Sequence, residues 1–156
     1  MRFSTQSRYG VRAIFDIAYH GRGKGVQIKD IARRQEISPR YLEQIFQPLR
    51  NAGIISSKRG PTGGYSLARA PQDIRVGDIV RVTERGFDPV SCIHPEETGK
   101  NCSRITDCVT RIIWEQVGEK VEGFLDSVTV QDLCRKAELL GVQKEEDRSS
   151  ISPPVE

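Results

Sequence analysis

Apolar positions along this chain change their period several times, and each change marks an element. Val11, Ile14, Phe15 and Ala18 recur at threes and fours, one face of a helix that GRGKG ends at residue 21. After a short extended VQI, the segment IKDIARRQ keeps Ile28, Ile31 and Ala32 on one face and predicts a second, short helix. Ser38-Pro39 predicts the start of a third. Serine caps the orphan N–H groups of a starting helix, and proline has no N–H to waste at its first position. Within that helix Leu42, Ile45, Phe46 and Leu49 fall at i, i+3, i+4 and i+7, which leaves Arg40, Glu43, Gln44 and Gln47 on other faces until the helix ends near Asn51-Ala-Gly53.

IISSKRGPTGGYSL then predicts two short strands, 54–58 and 65–67, joined by a basic loop rich in glycine and proline. Val76, Ile79, Val80 and Thr83 predict a fourth helix, whereas Pro89, Pro95 and Gly99 oppose regular structure. Beyond Cys108, residues Val109, Ile112, Ile113, Val117, Val121, Phe124 and Leu125 advance by threes and fours as one long amphipathic helix. Gly118 and Gly123 each cost it about 1 kcal/mol relative to alanine. VTVQDLCRKAEL predicts a short helix carrying Cys134, and the polar, proline-tipped end of the chain is expected to be disordered.

Two short helices, a tight turn between them and a hairpin after them give the order of a winged helix-turn-helix. The expected fold is mainly α with a small β wing. Its expected divisions are a DNA-binding domain over 1–86, a cysteine-containing loop over 87–108, a long helix and short terminal helix over 109–140, and a disordered tail over 141–156.

The chain has 156 residues and a net charge of +3. Residues 1–85 hold 16 Lys and Arg against 7 Asp and Glu, and the remainder holds 8 against 14. A basic half beside an acidic half suits a first part that meets a polyanion. No stretch has the apolar core of a secretory signal or the length of a membrane span, so a cytoplasmic protein is expected. Thiols stay reduced there, and clustered cysteines then point to metal or redox chemistry rather than to a disulfide.

The second helix of a helix-turn-helix pair enters the major groove. Here it presents Ser38, Arg40, Tyr41, Glu43, Gln44 and Gln47. Arginine bonds guanine in bidentate fashion, glutamine bonds adenine, and glutamate accepts from cytosine, although a plain solvated helix face has the same composition. In the hairpin, Lys58 and Arg59 supply cation for phosphate or minor-groove contact, and Gly60, Pro61, Thr62 and Gly63 allow a tight turn and close approach. The loop lacks the Gly-Lys-Ser/Thr ending of a nucleotide-binding loop and leads into no helix.

MRFSTQSRYGVRAIFDIA, SPRYLEQIFQPLRNAGIISSKRGPTGGYSL, IRVGDIVRVTE and GFLDSVTVQDL together resemble the regulators that include IscR, NsrR and CymR. The resemblance covers about residues 1–140, and YLEQ and RGPTGGY are its most specific elements. It implies a homodimeric winged-helix transcription factor on a palindromic duplex operator. The long helix would pair with its partner, and each cysteine loop would lie near the other subunit's DNA-binding domain. In cluster-binding members three cysteines of this loop hold an iron-sulfur cluster, 2Fe-2S or 4Fe-4S, which makes the cluster-assembly machinery a further partner. Cys92, Cys102 and Cys108 match those positions.

Thiolates are the usual cluster ligands, whereas structural zinc favours cysteine pairs two to four residues apart. Here nine residues separate the first two cysteines and five the last two. The first gap exceeds the five residues of IscR-like members. Their histidine position holds Arg111, and the aspartate position of NsrR-like members holds Arg8. The fourth ligand is therefore open among His94, Glu96, Glu97, Asp107, Cys134 and an external thiol. His94 also reads as a solvent-facing loop residue, Cys134 as a buried structural cysteine and His20 as a surface residue.

The resemblance implies a repressor, with activation also open, that senses cluster supply, redox state or nitric oxide. A cluster-free sensor of thiols or cysteine metabolism on the same fold is the alternative. A thiol-dependent enzyme using Cys92 and His94 is a remote third reading, since no oriented base or oxyanion site is legible.

Overall fold

The computed structural model describes residues 3–21, 24–60, 63–84, 90 and 102–144. In chain order these form α1 (Thr5–Gly21), α2 (Ile28–Gln35), α3 (Pro39–Asn51), β1 (Ile55–Lys58), β2 (Gly64–Leu67), a 3-10 turn (Pro71–Asp73), α4 (Val76–Thr83), α5 (Arg111–Ser127) and α6 (Val130–Leu139). The fold is the expected winged helix-turn-helix followed by a long helix.

Helix α1 is the hub, packing on α2, α3, α4, α6 and β2. Its Ala13, Ile14 and Ile17 meet Ile31, Leu42, Ile45, Phe46, Leu49, Ile55 and Ile79 in one core. The predicted cap is present: Tyr41 N–H donates to Ser38 Oγ at 3.2 Å. The turn before it depends on a residue with no sequence signal, Glu36, whose φ of 54° is left-handed and whose N–H closes onto the Ala32 carbonyl. Helix α3 also runs through Pro48, with buried Leu49 anchoring the last turn.

β1 and β2 pair antiparallel with Ile55 opposite Leu67 and Lys58 opposite Gly64. The extended VQI is tied to this hairpin by reciprocal bonds between Val26 and Tyr65, both 2.8 Å. That contact gives the wing glycines a role inside the domain as well. Gly64 has φ of 140°, and a Cβ on it would lie 2.6 Å from the Val26 carbonyl oxygen. A Cβ on Gly63 would strike the Lys58 backbone. Both glycines serve closure inside the domain, and Gly60, exposed with φ of 112°, is the one left at the tip. Pro61 and Thr62 lie outside the described residues.

Helix α6 returns to the first domain, placing Val130, Cys134 and Ala137 in the same core as α1. Backbone bonds from Val76 N to Val128 O and from Val130 N to Ile74 O, both 2.9 Å, lock its start beside α4. The tail expected from residue 141 begins in order instead. Tyr19 Oη donates to Val142 O at 2.6 Å, and Lys144 Nζ sits 4.7 Å over the Tyr19 ring. The buried Tyr19 on α1 gives residues 141–144 a partner that composition does not reveal; residues 145–156 lie outside the described ones. His20, expected at the surface, is half-buried with its ring edge-on to Tyr19.

Helix α5 buries no residue. Ile112, Ile113, Trp114 and Phe124 are 56%, 58%, 42% and 66% exposed, so the apolar stripe faces solvent in the single chain. Among the described residues no helix is long and apolar enough to cross a membrane.

Candidate nucleic-acid interface and thiol segment

The stripe that buries Leu42, Ile45, Phe46 and Leu49 turns the rest of α3 outward. Arg40, Glu43, Gln44 and Gln47 are all exposed, as is Ser38, whose hydroxyl is engaged in the cap. Tyr41 is half-buried and meets Tyr9 edge-on, with ring centroids 5.9 Å apart. The Arg12 guanidinium lies 5.2 Å over the other face of that contact, on Tyr9. The Tyr41 ring therefore joins α3 to α1, and its hydroxyl is what remains for a ligand.

Lys58, Arg59 and Gly60 are exposed on the hairpin. Arg50 is a cation that helical pattern reasoning passed over. It follows Gln47 by three residues, is exposed in the last turn of α3, and its Nη1 donates to Ser57 Oγ on β1 at 3.4 Å. Glu43, Phe46, Gln47, Arg50 and Tyr65 line a shallow notch between α3 and the hairpin. Reading helix and wing thus present donors, acceptors and cations side by side, the mixture that base edges and phosphates require.

Asp16 holds this unit in shape. It is fully buried, and its carboxylate accepts from Arg34 Nε and Nη2 and from Gln35 Nε2 at 2.9 Å. The end of α2 is thereby fixed to α1 through one side chain.

Cys92, His94, Glu96 and Glu97 lie outside the described residues. Cys102 and Cys108 are free thiols at the two ends of a turn segment, with Ile105 N–H bonded to Cys102 O and Arg111 N–H to Cys108 O. Asp107 is exposed in the same segment. Cys108 Sγ lies 3.3 Å from Thr110 Oγ1, and this hydroxyl, then the Arg111 N–H, holds the thiol below its ordinary range. Cys134 is buried in α6, where burial pushes its thiol up.

Two thiols before a helix start, one of them held below its ordinary range, are the donor chemistry an iron-sulfur cluster takes. Among the described residues no three His, Cys, Asp or Glu side chains converge. Arg8 is exposed beside Thr5, and Arg111 pairs with Glu115 Oε1 at 2.7 Å. A guanidinium offers no lone pair, so neither can ligate.

The profile of the Rrf2 family, described as an iron-dependent transcriptional regulator, matches residues 3–136. The chain is 45% identical over 139 residues to protein rrf2 of Nitratidesulfovibrio vulgaris, covering 89% of this chain and 91% of that one. It is 34% identical to the HTH-type transcriptional regulator IscR of Vibrio atlanticus, covering 94% and 83%. Among solved structures, IscR of T. potens superposes with a TM-score of 0.74 at 38% identity, covering 95% of this chain and 96% of that one. CymR, the global cysteine regulator of B. subtilis, superposes at 0.73 with 34% identity, covering 87% and 98%.

Proposed function

Because the chain belongs to the Rrf2 family of transcriptional regulators, we propose that it is a homodimer that reads a palindromic operator under control of an iron-sulfur cluster. Its relatives are named as regulators rather than enzymes. The observation that carries the DNA reading is the exposed face of Arg40, Glu43, Gln44 and Gln47 beside the cationic hairpin of Lys58 and Arg59. Glu43 and the glutamines discriminate base edges, while Lys58, Arg59 and Arg50 bind phosphate.

The dimer rests on α5. An apolar stripe this exposed costs about 25 cal/mol per Å2 until it is covered, and a second copy of the helix covers it symmetrically. Cys92, Cys102 and Cys108 would hold the cluster, which when bound supplies a link among three thiolates that is sensitive to iron supply, oxidation or nitric oxide. Breaking that link frees the segment ahead of α5 and so shifts the two reading helices relative to each other. The protein works in the cytoplasm, where its thiols stay reduced.

Anaerobic purification tests both parts. Sedimentation should give a dimer, with iron and sulfide present and brown colour. A palindromic duplex with half-sites about 34–36 Å apart should bind more tightly than a scrambled one. A monomer, or equal affinity for both duplexes, would sink the proposal. The likeness to CymR favours a second reading, in which Cys102 and Cys108 sense thiol state directly. A colourless dimer that binds its operator and responds to oxidant would establish it.

A further inference from the structure

Among the described residues, helix α5 packs on α4 near its last turns. Its last turn runs into the short pairing of residues 74–76 with 128–130, and the chain between Arg111 and Val121 buries nothing. Arg81 closes this joint from α4. Its Nε and Nη2 donate to Glu122 Oε1 at 3.0 and 2.9 Å, and Nη2 also donates to Asp126 Oδ2. Glu122 and Asp126 are one helical turn apart, so a single guanidinium spans the register of α5 as well as its distance.

The surroundings are built for this contact. Asp78, one turn before Arg81, places Oδ1 3.6 Å from Arg81 Nη1, and its Oδ2 accepts from Arg75 N at 3.1 Å. Arg69 Nη2 stands 3.7 Å from the same carboxylate. Gly77 clears the approach, since a Cβ there would overlap the Asp126 carboxylate. A charge chain therefore runs from the start of α4 across to α5.

The lever is long relative to what it controls. From Asp126 to Ile112 is about 21 Å at 1.5 Å per residue, so a tilt of about 10° at the joint moves the far end by about 3–4 Å. That is roughly the 3.4 Å step between base pairs. Resting on the dimer through α5, we propose that Arg81 is the positioning residue that sets which separation of DNA half-sites the protein accepts. It touches no DNA in this arrangement; it fixes the angle at which each α5 leaves its domain.

The test is affinity for a series of palindromic duplexes whose half-sites are moved apart in single base-pair steps. Wild type should prefer one spacing by about tenfold or more. Arg81→Ala and Glu122→Gln should flatten that preference to within about threefold, with unchanged affinity for a duplex carrying one half-site and an unchanged sedimentation coefficient. Arg81→Lys should recover part of the preference. If Arg81→Ala and Glu122→Gln keep the wild-type ratio, or lose single half-site affinity in proportion, Arg81 has no such role. A monomeric wild type would instead overturn the dimer itself, and this inference with it.

Discussion

Arg34 grips Asp16 inside the protein: Nη2 donates to Oδ1 at 2.7 Å and Nε to Oδ2 at 3.0 Å, with the carboxylate fully out of solvent. The pair spans α1 and α2 and fixes the angle at which the helix-turn-helix is carried. Removing one partner of a buried ion pair leaves the other charge uncompensated and costs about 3–5 kcal/mol. Asp16→Ala should therefore lower stability by about that amount in urea denaturation. A loss below about 1 kcal/mol would show that the pair does not hold the unit together.

Gly64 should not tolerate a side chain. Alanine there meets both a backbone φ of 140° and the Val26 carbonyl, whereas Gly53, with φ of 68°, has open space around it. Strained backbone of this kind costs about 1–3 kcal/mol. Gly64→Ala should weaken operator binding because the hairpin shifts. Gly53→Ala should lower stability by about 1 kcal/mol with operator affinity retained. Equal operator affinities for the two variants would contradict the packing described.

Cation on the wing and acid on α3 should fail differently. Arg59→Ala should weaken binding to every duplex and reduce the slope of log affinity against log salt by about 1, as loss of one phosphate contact does. Glu43→Ala should leave that slope alone and change which operator is preferred. Matching salt slopes and sequence preferences for the two variants would defeat the assignment.

Three thiols should matter to the cluster and the fourth should not. Any of Cys92→Ala, Cys102→Ala or Cys108→Ala should abolish bound iron and sulfide, while Cys134→Ala should leave both at wild-type levels. Bleaching by Cys134→Ala with full content in Cys102→Ala would reverse the ligand set.

Cys134 also predicts a pH dependence. Burial, the largest cause, raises its thiol above 9.0, with Lys144 opposing and Glu138 adding. A pKa higher in the folded than in the unfolded chain contributes stability fully present below about 9.0 and lost as pH rises through the folded value. Wild type should lose stability more steeply than Cys134→Ala as pH rises above about 9.0. Alkylation of Cys134 at pH 8 should be much slower in the folded protein than in urea. Equal alkylation rates in the two states would show that the thiol is not protected.

Much of the DNA-reading unit was legible because its signals are local. The stripe of Leu42, Ile45, Phe46 and Leu49, the Ser38 cap and the strand patterns around the basic loop lie within a few residues of what they govern. The reading face followed from that stripe by subtraction. Less of the thiol segment was legible, since spacing gives Cys102 and Cys108 their donor chemistry but carries no information on which distant group approaches them.

The sequence by itself determined the order and type of the elements, the outward side of α3 and the apolar stripe of α5, because periodicity fixes which side chains share a face. Tertiary structure alone decided the rest. Asp16 reads as an ordinary helix carboxylate until Arg34, eighteen residues away, closes on it. Gly64 reads as a flexible loop residue until Val26 arrives against it, Tyr19 as a core aromatic until it binds Val142, and Arg81 as a surface cation until α5 crosses α4. Each of these depends on two segments far apart in the chain meeting at a distance of about 3 Å, and directional contacts of that kind leave no period in the sequence to read.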